Sequence, residues 1–215
     1  CIKHMKTSPK VKICGIRRQQ DLLCAKTLGA DYFGFILYEK SPRYISLNDL
    51  KPITDSVPMD ACVFVDVMPT EDKLKQMKDV GCQNFQIHTH EKTSYSEYEA
   101  YMRLLDRKAI WLAPQVSNLN QFDEALHEFS DTFLIDTYSK QQVGGTGMIG
   151  DWDGFKQLKS KYPEKQWILA GGLNPKNIKE CLNASEADFI DVNSGVEEAP
   201  GVKSAEALKQ LFNQL

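Results

Sequence analysis

Gln166-Trp167-Ile168-Leu169-Ala170-Gly171-Gly172-Leu173-Asn174-Pro175 passes from an apolar run through two glycines to an asparagine and a proline. The run Gln166–Gly171 is too short for a helix and reads as a buried strand. Asn174 before Pro175 places a capping side chain ahead of a proline at the first helical position. Strand, Gly-rich turn and helix thus follow one another, and the same order recurs along the chain. Further strands are expected at Lys10–Ile16, Asp31–Tyr38, Asp60–Val67, Asn84–Thr89, Ala109–Val116, Thr132–Tyr138 and Phe189–Asn193, all rich in Val, Ile and Phe. Between them apolar residues recur at three- and four-residue spacing. Leu119, Phe122, Leu126 and Phe129 form one helical stripe, Trp152, Phe155, Leu158 and Tyr162 another, and Leu208, Leu211, Phe212 and Leu215 a last one. Ser96 with Glu99 fits a capping box, and Ser204 can cap the final helix.

Strands alternating with helices pair in parallel, because parallel neighbours need a crossover connection. Eight such β-then-α units can be counted. An open doubly wound sheet competes with a closed barrel on this count, and the glycines decide between them. They follow the sixth, seventh and eighth strands, whereas a dinucleotide-binding sheet carries its glycines after the first. The expected architecture is a single (β/α)8 TIM barrel with parallel strands over residues 6–215, and Cys1–Met5 read as a cloning remnant.

At 215 residues with 42% hydrophobic and 26% charged side chains, the chain can bury one sizeable core. The formal charge is −3 with acidic and basic residues interspersed, which argues against nucleic acid as a partner. No apolar run approaches the roughly 18–20 residues of a membrane span, and no signal-peptide pattern opens the chain. Six scattered cysteines include no CxxC pair, so reduced thiols in the cytoplasm are expected.

In a barrel, alternate strand residues point inward and the active site forms where the strands end. Val11 and Ile13 then face the helices, while Lys12 and Cys14 face the interior. Phe133 and Ile135 face out, Leu134 and Asp136 in, and Asp191 and Asn193 share the inner face of the eighth strand. Cys14, Asp136 and Asn193 thus collect at one mouth. Taken singly, a strand cysteine is usually buried filler, and a strand-end aspartate usually caps a loop. Gly171-Gly172 and Gly195, on adjacent loops, offer backbone donors to a phosphate; turning a loop is the plainer use of the same residues. Gly144-Gly145-Thr146-Gly147 suits a lid or a long loop. His88 and His90 would share one strand face, but no third ligand is identifiable, so no metal site is expected. Asp66 and Asp191 are assigned to internal hydrogen bonds.

These segments resemble the phosphoribosylanthranilate isomerase family. Lys12-Ile13-Cys14-Gly15-Ile16 is similar to that family's opening strand, and Gly34-Phe35 with Ser41-Pro42-Arg43-Tyr44-Ile45-Ser46 to its second unit. Gly144–Gly147 with Asp151-Trp152 resembles its sixth loop. Leu169–Pro175, Asp191–Glu197 and Pro200–Lys203 resemble its last two units. The likeness runs from about Lys10 to the C-terminus. It implies an enzyme of tryptophan biosynthesis carrying out an Amadori rearrangement of N-(5′-phosphoribosyl)anthranilate to 1-(2-carboxyphenylamino)-1-deoxyribulose 5-phosphate. No cofactor or metal is implied, and the expected partner is that small-molecule substrate alone. A monomer is expected, with a homodimer as the alternative.

By matching positions, Cys14 would be the general base and Asp136 the general acid. Arg43 would bind the anthranilate carboxylate, and Gly171, Gly172, Ser194 and Gly195 would hold phosphate. His88, Gly145 and Asn193 complete the implied substrate site. A thiol of ordinary pKa about 8.5 needs modest depression to act as a base, and Lys12 is the expected source of positive charge. The chain departs from the pattern at Thr89-His90, where glycine is expected, at Met148-Ile149 for Lys-Thr, and at Asn193 for Ser. Two rivals stand beside this reading: the sister isomerase of histidine biosynthesis, which has two phosphate sites and an Asp where Cys14 stands, and a non-catalytic metabolite-binding barrel.

Overall fold

Short runs rich in β-branched and aromatic residues, each buried on both faces, are what an all-parallel sheet requires. The computed structural model of the chain, which describes residues 8–137 and 150–215, has eight of them: β1 Lys10–Ile13, β2 Tyr32–Ile36, β3 Cys62–Val67, β4 Asn84–Thr89, β5 Ile110–Pro114, β6 Thr132–Asp136, β7 Gln166–Ala170 and β8 Phe189–Val192. Each pairs in parallel with the next in sequence order, and β8 pairs with β1 to close the barrel. The expected strands overrun the observed ones mainly at their C-terminal ends. Cys14, Gly15, Tyr38, Val116, Gly171 and Asn193 have left the ladder and build the loops above it.

Helices α1 Gln19–Leu28, α2 Leu47–Thr54, α3 Glu71–Asp79, α4 Tyr95–Met102, α5 Trp152–Lys161, α6 Ile178–Ser185 and α7 Ala205–Phe212 surround the barrel. The fifth crossover differs from expectation. The stripe Leu119–Phe129 forms two 3₁₀ segments, Leu119–Gln121 and Glu124–Glu128, and no α-helix. Asn118 accepts from the Asn120 amide and Asp123 from the Ala125 amide, so two side chains cap short turns in competition with a continuous helix. Leu119, Phe122 and Leu126 are nonetheless buried.

The capping box also shifts. The pattern Ser-x-x-Glu occurs twice, two residues apart, and the structure uses the earlier copy: Glu97 accepts from the amide of Ser94, at 2.8 Å. That register buries Tyr98 and Tyr101. Asn174 does cap, but it caps a turn through the Lys176 amide, and α6 begins only at Ile178. Ser204 caps α7 as expected.

Alternation along the strands separates two cores. Val11, Ile13, Phe133 and Ile135 pack between barrel and helices. Leu134, Val65, Ala113, Ile168 and Phe189 fill the interior together with Cys14. The floor of the interior is aromatic, with Tyr32, Trp111 and Phe189 in mutual ring contact. Polar side chains occupy the interior above this floor.

Candidate active site

Cys14 stands one residue beyond β1, with its amide donating to the Val192 carbonyl at 2.9 Å. Its thiol is buried, 3% exposed. Gly15 follows in the left-handed region at φ +74°, and a methyl group there would lie 2.5 Å from Asn193 Oδ1 and 2.9 Å from Arg43 Cδ. Glycine therefore lets Cys14, Arg43 and Asn193 converge. Asp136 ends β6, which lies three places round the ring from β1, and is exposed between buried Ile135 and Thr137. Acid and base candidates thus open onto the same end of the barrel from well-separated strands.

Lys12 favours the thiolate as expected, but burial outweighs it and the net shift is upward. Burial pushes the Cys14 thiol up; the Lys12 ammonium opposes this, the Asp191 carboxylate reinforces it, and the thiol ends above its ordinary value. Lys12 is itself wholly buried, with Nζ 2.8 Å from Asp191 Oδ1. Burial pushes its ammonium down, but Asp191 and Cys14 outweigh that and hold it above the usual lysine value. Asp191 therefore has the internal partner the sequence suggested.

Arg43 is carried by a pinned loop. Its amide donates to Ser41 Oγ at 3.1 Å, and Ile45 donates to Ile36 O at 2.9 Å beyond the end of β2. Its guanidinium grips Glu197 with Nε at 3.0 Å and Nη2 at 2.7 Å. Five N–H groups are available to an arginine, so three remain for a second carboxylate. Glu197 also accepts from Lys203 Nζ at 2.9 Å and from the Gly201 amide at 3.1 Å. Although burial pushes the Glu197 carboxyl up, Arg43 and Lys203 win and hold it below the usual range. Lys203 Nζ in turn donates to Asn193 Oδ1 at 3.0 Å, which leaves the Asn193 amide nitrogen as its donor.

The glycine loops form one unit. Gly171 and Gly172 adopt φ +103° and +65°, and Gly172 O accepts from the side-chain amides of Asn174 and Asn177, each at 3.0 Å. Gly195 lies in the 3₁₀ turn Ser194–Val196, and a methyl group on it would fall 1.9 Å from Leu173 O. Loops seven and eight are in contact there, with backbone exposed around Ser194.

His88 projects inward from β4 beside Gln86, whose amide lies 2.9 Å from His88 Nε2. Burial, reinforced by Lys12, lowers its pKa to about 4, so the ring is neutral at neutral pH. Thr89, at a position departing from the family pattern, is buried against the Tyr98 hydroxyl at 2.9 Å. His90 lies past the strand end and is exposed, so the two histidines do not share a strand face. Asp66 bonds to the amide of Val67 at 2.7 Å. Gly145, with the rest of Gly144–Gly147 and Met148-Ile149, lies outside the described residues.

Glu197, Lys203 and Gln86 were not singled out from the sequence. The first two stand inside quoted motifs, Asp191–Glu197 and Pro200–Lys203. An acid and a base within six residues, flanking a proline-glycine turn, were the available signal for them.

The sequence model of one family, described as N-(5′-phosphoribosyl)anthranilate (PRA) isomerase, matches residues 11–214. A relative from Trichormus variabilis named N-(5′-phosphoribosyl)anthranilate isomerase is 34% identical over 211 residues, spanning 96% of this chain and 98% of the relative. The crystal structure of phosphoribosyl anthranilate isomerase from Thermus thermophilus superposes with a TM-score of 0.77 at 31% identity, covering 95% of this chain and 97% of that one. Another phosphoribosyl anthranilate isomerase structure, in complex with reduced 1-(o-carboxyphenylamino)-1-deoxyribulose 5-phosphate, gives a TM-score of 0.74 at 30% identity over 96% of this chain and 97% of that one.

Proposed function

Because this chain belongs to the N-(5′-phosphoribosyl)anthranilate isomerase family, we propose that Cys14 and Asp136 are the base and acid with which it isomerises N-(5′-phosphoribosyl)anthranilate. The observation that carries this assignment is the meeting of a buried thiol and an exposed strand-end carboxylate at one barrel mouth, beside two interlocked glycine loops.

Opening the furanose requires a proton on the ring oxygen, and Asp136 supplies it. The C1′–oxygen bond breaks, and the anilino nitrogen's electrons form a cationic Schiff base. Cys14 as thiolate then removes the C2′ proton, the electrons flow to the iminium, and the resulting enolamine ketonises at C2′. The thiol starts above its ordinary value, and the cation created by ring opening pulls it back down. The thiolate is therefore more fully populated at the step that uses it.

Phosphate is assigned to the loops of Gly171, Gly172, Ser194 and Gly195, with Asn193 adding its amide. Arg43, held by Glu197, offers its remaining donors to the aryl carboxylate. Neutral His88 is assigned to the substrate wall, and Gly145 is taken as a substrate-binding residue from the family motif alone. Residues 6–215 are read as one catalytic domain.

Among the described residues the large exposed apolar side chains are Leu23, Val80 and Tyr95, on three separate segments, which supports a monomer. Five free cysteines among the described residues fit a reducing compartment, so the site of action is taken as the cytoplasm.

The test is complementation of a tryptophan auxotroph lacking this isomerase. The wild-type chain is expected to restore growth, and Cys14→Ala and Asp136→Asn to fail at equal expression. Growth with either variant would remove that residue from its role.

A further inference from the structure

The interior face of β1 carries an ammonium directly below the candidate base. Lys12 lies two residues before Cys14 on the same face of the strand and meets Asp191 of β8 at 2.8 Å across a paired register position. β2 makes room on the other side. Gly34 has no side chain, and a methyl group there would stand 2.7 Å from Cys14 Sγ and 3.0 Å from Lys12 Nζ. Three groups thus share one buried enclosure: a thiol, a cation and an anion. Burying both charges costs several kcal/mol before pairing repays it, and an apolar pair would fill the same space without that cost.

We propose that Lys12 and Asp191 are positioning residues that set the ionisation of Cys14 in opposite directions, the ammonium favouring the thiolate and the carboxylate favouring the thiol. The inference rests on the reading of Cys14 as base and adds a control to it: the balance between two counter-charges fixes the pH at which the base becomes available. Other charged groups face the thiol. Lys203 of the short strand Val202–Lys203 and Arg43 of the loop after β2 both favour the thiolate, but both are tied to Glu197. His88 of β4 faces Lys12 and Asp191 and is neutral above about pH 4. Asp136 of β6 opens onto the same mouth. Of these groups, Lys12 is the one whose charged end shares with the sulfur the space left by Gly34.

The experiment follows alkylation of Cys14 by iodoacetamide against pH, read by mass spectrometry of the Cys14 peptide. Relative to wild type, the midpoint in Lys12→Met is expected to rise by about one pH unit or more, and in Asp191→Asn to fall by a similar amount. The double variant should lie between the two. The acid limb of kcat/KM should move the same way in each single variant. Packing damage would alter rates without moving two midpoints in opposite senses. A folded Lys12→Met with an unmoved midpoint, or both single variants moving in one direction, would overturn the proposal. Should Lys12→Met fail to fold because Asp191 is left unpaired, Asp191→Asn decides: a midpoint below wild type sustains the proposal, and one at or above it ends it. Activity of Cys14→Ala tests the base assignment separately, since alkylation reports on the thiol whether or not that thiol is the base.

Discussion

Arg43 shows how a side chain can be foreseen and its surroundings missed. Its place beside Pro42 and after β2 was legible in the motif. Its grip on Glu197 spans 154 residues of chain and leaves no periodic trace. Glu197 occupies one edge of the guanidinium, so the proposed carboxylate would meet the donors that remain. Arg43→Ala is expected to lose on the order of 2–4 kcal/mol in kcat/KM, and Arg43→Lys to recover only part, since lysine lacks the planar fork. Inorganic phosphate inhibition should be unchanged in both. Equal loss of phosphate and product affinity would mean general damage to the barrel. Cys14 and Lys12 were legible from the two-residue strand period alone. The net electrostatic effect on the thiol was not, because a sequence displays neighbouring charges but not the depth of burial that here outweighs them.

At the scale of elements, strand positions were readable because each is a short run rich in Val, Ile and Phe, too short to be a helix. The C-terminal strand ends were not, since residues such as Cys14 and Gly171 keep strand-like composition while their backbone turns into loops. The fifth crossover failed for a different reason: its apolar spacing is helical, and Asn118 and Asp123 break it locally. Contact between loops seven and eight yields a prediction of its own. At Gly195 the obstructing atom is a backbone carbonyl, 1.9 Å from an added methyl group, and it cannot swing aside. Gly195→Ala should push the two loops apart. The substrate KM and the phosphate inhibition constant are then expected to rise together by roughly tenfold, about 1.4 kcal/mol, with kcat changed far less. Steady-state inhibition by inorganic phosphate measures this, and unaltered phosphate binding would detach these loops from the anion.

Across the whole molecule, the polar interior makes stability depend on pH. His88 has its pKa lowered to about 4 in the fold, against about 6.5 in an unfolded chain. As pH falls below about 6.5 the unfolded state takes up the proton first, so stability declines from there to about pH 4 and is insensitive to this group at higher pH. His88→Gln should flatten that part of the curve in urea unfolding at pH 7.5, 6, 5 and 4. An identical decline in the variant would assign the loss to other groups.

One thiol and one carboxylate at a shared barrel mouth are proposed to perform the isomerisation. A non-catalytic barrel would bind the substrate and leave it unchanged. The most direct measurement is steady-state turnover of N-(5′-phosphoribosyl)anthranilate by the purified chain, with Cys14→Ala and Asp136→Asn assayed alongside. Turnover by the wild type is expected, with at least a roughly 10²-fold fall in kcat for each variant and KM changed much less. Saturable binding without product in the wild type, or near-normal kcat in either variant, would contradict it.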